Sequence, residues 1–107
     1  MMDRREVLAR ALACVSGRRE TDHGKPEDSF GAIADLWNAY LGRRFPEAEL
    51  HLNSIDVSVM LMLLKVGRIA AGQGCDDNFV DIAGYAACAG EIYDKATKLM
   101  QEEETSV

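Results

Sequence analysis

Apolar residues return at spacings of three and four along four stretches of the chain, the pattern of helices that bury one face. In the first stretch, Val7, Leu8, Ala11, Leu12 and Val15 predict an amphipathic helix over residues 3 to 15, with Asp3 suited to its N-terminus and Ser16-Gly17 ending it. The segment "RRETDHGKPED" is polar and holds Gly24 and Pro26, so it predicts a loop, with Pro26 placed to open the next helix. Phe30, Ile33, Ala34, Trp37 and Leu41 then form a second apolar face, closed by Gly42. Trp37 is in phase with that face and reads as core, whereas Tyr40 lies off it.

The stretch "RRFPEAELHLN" keeps no period and contains Pro46, which predicts a connection with one short turn. Ser54 is placed to cap a third helix over residues 55 to 71, and Asp56 favours its positive end. The apolar run "VSVMLMLL" inside it ends at Lys65 and reads as a buried helix segment. Gly72 and Gly74 stop that helix, and Asp76 is placed to cap a fourth one over residues 77 to 100. The remainder, "QEEETSV", reads as a frayed, disordered tail. No hairpin signal or internal repeat is present, so the expected fold is all-α: one four-helix, bundle-like domain over residues 1 to 100.

Composition fits one globular domain, with 107 residues, 48% of them hydrophobic and 28% charged. So short a chain buries only about two thirds of its unfolded surface, which makes a homo-oligomer an expected partner state. A formal net charge of -6 argues against binding duplex nucleic acid, since phosphate neutralisation needs clustered Lys and Arg. Small anions remain possible where a few cations meet. Cys14, Cys75 and Cys88 are odd in number and show no paired spacing, as reduced thiols in a cytosol would be. Neither a secretory leader nor a membrane span is expected, because no apolar run approaches the roughly 18 residues a span requires.

The chemistry concentrates around the predicted turn between the third and fourth helices. Lys65 and Arg68 sit three residues apart before it, and Asp77, Asp81, Tyr85 and Cys88 follow after it at helical spacing. A short turn returns the helices antiparallel and sets two cations against two acids and a phenol. One reading is a set of interhelical ion pairs that fixes register. The other is a polar pocket in which Lys65 and Arg68 donate to phosphate oxygens, and the carboxylates hold Mg²⁺ or neutralise those cations. Gly84 and Gly90 each cost the fourth helix roughly 1 kcal/mol relative to Ala, which predicts close packing along "AGYAACAG". In the loop, His23, Lys25, Glu27 and Asp28 lie beside a helix N-terminus, where backbone N–H groups attract anions. Asp3 with Glu6 and Glu91 with Asp94 read as exposed helix charge. No nucleophile elbow, P-loop or H-E-x-x-H motif occurs.

Taken in order, "HGKPEDSFGAIADLWNAYL", "DVSVMLMLLKVGRIA" and "DDNFVDIAGYAA" resemble a family of small helical proteins encoded by phages and prophages, over residues 3 to 95. More distantly the chain is similar to the all-α nucleoside triphosphate pyrophosphohydrolases, the MazG-like and dimeric dUTPase group. That resemblance implies a four-helix core, dimers or higher oligomers, and a nucleotide site with Mg²⁺ held by acids of two neighbouring helices. The group carries an E-x-x-E pair and an E-x-x-D pair. Asp77 and Asp81 match the second only with a spacing of four, and the first is missing, since only Asp35 and Asp56 stand where it would be. Water activation by several Mg²⁺ ions needs more carboxylates than this.

The leading expectation is therefore a nucleotide binder of a phage, in the cytoplasm of the infected host, that sequesters a phosphorylated nucleotide signal without a cofactor. Lys65 and Arg68 would contact phosphate, Asp77, Asp81 and Tyr85 would shape the pocket, and His23 and Lys25 would close it. The alternative is a Mg²⁺-dependent pyrophosphohydrolase with Asp77 and Asp81 as metal ligands. A third is a helical bundle that binds only proteins.

Overall fold

The computed structural model describes residues 2–16, 24–74 and 76–105. Within them the chain forms α1 (Arg4–Val15), α2 (Pro26–Arg44), α3 (Ser54–Ala70) and α4 (Asp76–Thr105), with no strand among the described residues. The fold is all-α. No helix is long and apolar enough to cross a membrane among the described residues.

The helix starts follow from local hydrogen bonding. The Asp3 carboxylate accepts from the Glu6 amide at 2.9 Å and caps α1. Pro26 opens α2, where its missing N–H costs nothing. At α3 the cap is Asn53 rather than Ser54: its side chain accepts from the Asp56 amide at 3.0 Å, and the Asp56 carboxylate accepts from the Asn53 amide at 2.9 Å. This reciprocal capping box satisfies two donors and starts the helix one residue early. Ser54 is thereby released, and its hydroxyl donates to the Glu27 carbonyl at 3.3 Å, tying α3 to the start of α2.

The helix ends differ more from the pattern. α2 runs through Gly42 to Arg44, with Arg43 and Arg44 placed against the negative end of its dipole. Beyond it, Pro46 and Glu47 make the one turn of the connection, closed by the Ala48 amide donating to the Phe45 carbonyl at 3.0 Å. Asn38 then holds this connection to α2: its amide nitrogen donates to the Leu52 carbonyl and its oxygen accepts from the Leu52 amide, both at 2.8 Å. α3 ends in a Schellman motif. Gly72 takes φ +75, the Gln73 amide donates to the Arg68 carbonyl, and the Gly72 amide to that of Ile69. Asn78, buried in the first turn of α4, donates to the Gln73 carbonyl at 3.3 Å and closes the turn. Asp76 lies inside α4 rather than before it, and the helix continues through Thr105, so residues 101–105 are helix rather than a disordered tail.

Packing centres on α4, which lies along α3 and also against α1, while α2 rests on α3 and touches α4. Lys65 and Asp81 stand eight residues either side of Gln73 and meet at 2.9 Å, which fixes α3 and α4 as antiparallel. The buried apolar core among the described residues is small: Ala11, Ala34, Val57, Val80 and Ile92. The stripe of α1 divides, with Ala11 inside and Leu8 and Leu12 each 65% exposed. On α2, Ala34 is buried and Trp37 half-buried. α3 is apolar on both sides, for Val57 and Ser58 are buried while Leu63 is 60% exposed.

Candidate functional site

A cavity of about 410 Å³ opens where α1, α2 and α4 meet. Each helix contributes residues one or two turns apart, as amphipathic phase requires. α1 supplies Cys14 and Val15; α2 supplies Pro26, Ser29, Phe30 and Ile33; α4 supplies Val80, Asp81, Gly84, Tyr85 and Cys88. Leu61 of α3 and Gly24 before α2 complete the wall. The Phe30 and Tyr85 rings lie 6.2 Å apart at 57°, a tilted aromatic contact that joins α2 to α4.

Gly84 explains part of this space. It is buried, and a Cβ built there would meet only Val15 Cγ1, at 3.7 Å. A methyl there would make an ordinary contact with α1, so its absence leaves space along the cavity wall rather than permitting the approach of the helices. Gly90, expected to pack in the same way, is exposed with nothing within 4 Å of its Cβ position, and nothing in the structure explains it.

Among the described residues the one charged lining residue is Asp81, which accepts from Lys65 Nζ at 2.9 Å. Their side chains are 33% and 14% exposed, so the lysine is the more covered partner. Asp81 and Tyr85 therefore share the cavity wall, and the expected ion pair between Lys65 and Asp81 is formed. The larger convergence is not. Arg68 is exposed and makes no ion pair among the described residues, because three helical positions from Lys65 turn it about 60° away. Asp77 is exposed in the first turn of α4 and does not line the cavity. Lys25 is exposed beside the lining residue Gly24, and His23 lies outside the described residues.

Among the described residues no three His, Cys, Asp or Glu side chains converge in a way that could hold an ion. The carboxylate that faces the cavity is already neutralised by Lys65.

A second polar contact lies at the start of α2. Glu27 Oε1 accepts from Lys95 Nζ at 3.0 Å, and Lys95 also meets Glu91 at 3.4 Å. The hydrogen bond from Lys95, then the carboxylate's bond to its own backbone amide, holds the Glu27 carboxyl below its usual range; the charges of Lys95 and Lys25 add to this against the opposing effect of burial. Lys95 is raised in turn, first by its bond to Glu27. Glu27 Oε2 is covered and has no hydrogen-bond partner among the described residues.

The sequence pattern brought out Asp81 and Tyr85 but not Ser29, Phe30 and Cys14 as neighbours of one space. Their signal is present in hindsight: Pro26, Ser29, Phe30 and Ile33 follow one another at helical spacing, as do Asp81, Gly84, Tyr85 and Cys88.

Residues 6–93 match the model of a domain of unknown function, DUF6378. The Gene 55 protein of Mycobacterium phage D29 is 33% identical over 89 residues, covering 83% of this chain and 54% of that protein. The Gene 55 protein of Mycobacterium phage L5 is 35% identical over 80 residues, covering 75% of this chain and 47% of that protein. The chain thus spans about half the length of the curated relatives it matches. No solved structure matches it. With the match running from the first turn of α1 to Tyr93 in α4, and so through all four helices and the cavity between them, the chain belongs to the DUF6378 family, which includes phage proteins.

Proposed function

We propose that the protein binds, and by binding sequesters, a small phosphorylated nucleotide. The observation that carries this reading is Asp81, held by Lys65 at 2.9 Å, in the wall of a largely apolar cavity that Phe30 and Tyr85 also line. At about 410 Å³ the space falls within the roughly 300–1,000 Å³ of small-molecule sites. A planar base fits between apolar walls beside Phe30 and Tyr85, with the Ser29 hydroxyl and the Asp81 carboxylate available to its polar edge. A phosphate then competes with Asp81 for Lys65, which donates to it as a compact cation. Lys25 stands next to the Gly24 wall and Arg68 one turn beyond Lys65, so either adds positive potential at longer range.

Relatives in two mycobacteriophages support a phage setting, where removing a host's nucleotide signal by binding alone is useful. The resemblance read from the sequence to all-α pyrophosphohydrolases, which none of the matches above includes, would point to the same ligand class. Binding is preferred over hydrolysis because the sequence lacks the paired acids of that group, and among the described residues no three His, Cys, Asp or Glu side chains converge.

The test incubates the protein with Mg²⁺ and a panel of NTPs, dNTPs, cyclic nucleotides and NAD-derived nucleotides, then chromatographs the filtrate before and after heat denaturation. The expected outcome is a nucleotide that disappears and returns intact on heating. Lys65→Gln is expected to weaken its binding at least about tenfold, the loss of one charge-assisted contact. Conversion to a monophosphate would replace this reading with an enzyme that EDTA stops, and a panel that passes unchanged would leave an interaction bundle.

A further inference from the structure

We infer that a second copy of this chain covers the outer face of α3, pairing α3 against α3 in antiparallel fashion about a two-fold axis. This does not rest on the ligand reading, since the face lies on the side of α3 away from the Lys65–Asp81 contact.

A helix that is apolar all round is a helix with neighbours all round. The inner side of α3 is occupied, with Val57 and Ser58 fully buried and Lys65 turned to Asp81. Its outer side carries Val59, Met60, Leu63, Leu64 and Val66, between 42% and 60% exposed. The whole chain exposes 8144 Å², against about 5,900 Å² for a compact monomer of this mass. The excess exceeds the roughly 800 Å² per partner that a stable interface buries.

Charge selects a second copy as the occupant. Two chains of net charge -6 repel one another, so they can meet only where their own charges are absent or complementary. The outer stripe from Val59 to Gly67 is uncharged, whereas Leu8 and Leu12 share their face with Arg5, and Leu36 and Tyr40 share theirs with Arg43. The charges flanking the α3 stripe are Asp56 at its start and Arg68 at its end. In an antiparallel pair these come opposite each other twice, Asp56 of each copy beside Arg68 of the other. Arg68 makes no ion pair among the described residues of its own chain, and Gly67, with open space at its Cβ position, lets the two backbones approach. The registry centres near Met62 and Leu63.

Two measurements on the full chain test this. Sedimentation equilibrium at micromolar concentration is expected to give twice the 11.8 kDa chain mass. Leu63→Glu is expected to sediment at the single-chain mass, while Leu36→Glu on α2 remains a dimer. A single-chain mass for the wild type overturns the proposal, as does a dimer that survives Leu63→Glu. Should Leu63→Glu not fold, methionine oxidation by dilute peroxide on the wild type decides the question without a variant. Met60 is 43% and Met100 64% exposed within one chain. Pairing through α3 is expected to slow oxidation of Met60 about tenfold relative to Met100. Comparable rates overturn the proposal.

Discussion

At the scale of single residues, Glu27 shows how a surface carboxylate becomes structural. It stands in the first turn of α2, favoured by the helix dipole, and reaches Lys95 near the far end of α4 at 3.0 Å. Its carboxyl lies below the ordinary value of 4.5 in the folded chain. A depressed acid contributes its full stability above the unfolded value and loses it as pH falls through the folded one, because the unfolded state takes up the proton first. Lys95 behaves inversely: being raised, its share persists below 10.5 and fades as pH climbs through the folded value. Glu27→Gln is therefore expected to flatten the acid limb, so that its thermal midpoint falls less than that of the wild type between about pH 5 and pH 3. Melting both proteins by circular dichroism across that range checks it, and parallel acid limbs would remove Glu27 from the account. The same scale shows what the sequence concealed. Lys65 and Asp81 were legible as partners because they are equidistant from the turn, while Arg68, one turn along the same helix, leaves the shared face by rotation alone.

At the scale of elements, the turn between α3 and α4 sets the site, because its geometry decides which residues of the two helices meet. Only a residue that tolerates φ +75 closes the Schellman motif, and Gly72 occupies that position. Gly72→Ala is expected to cost about 1–2 kcal/mol in urea unfolding, the penalty of an L-residue in left-handed backbone. Gly74→Ala, at a glycine without positive φ, is expected to change little; equal effects would mean that the turn is not strained as described. Periodicity made the four helices and their order legible, since each carries an apolar stripe. It did not fix their ends. The polar pair Asn53-Ser54 offers two caps, and only the reciprocal bond with Asp56 decides between them. Gly42 costs a helix about 1 kcal/mol, which two following arginines and the Asn38 clamp outweigh. The cavity was illegible for a different reason: it arises from how α1, α2 and α4 lean on one another, and one-dimensional phase does not specify that.

At the scale of the whole molecule, the fold is wider than its length allows for a self-sufficient core. The radius of gyration is 16.3 Å, against about 13 Å for a compact domain of this length. Among the described residues five apolar side chains are buried, two of them alanines, so burial within one chain gives little against the entropy of ordering it. If a second copy supplies the missing cover, folding and association are one equilibrium, and stability depends on concentration by mass action. For a dimer that unfolds to two chains, the midpoint rises with the logarithm of concentration at a rate inversely proportional to the unfolding enthalpy. At about 0.7 kcal/mol per residue over two chains, the shift is about 3 °C for each tenfold rise in concentration. Calorimetry across two decades of concentration measures it directly. A midpoint that stays constant would mean that the chain holds itself together alone, and the exposed side of α3 would then need another explanation.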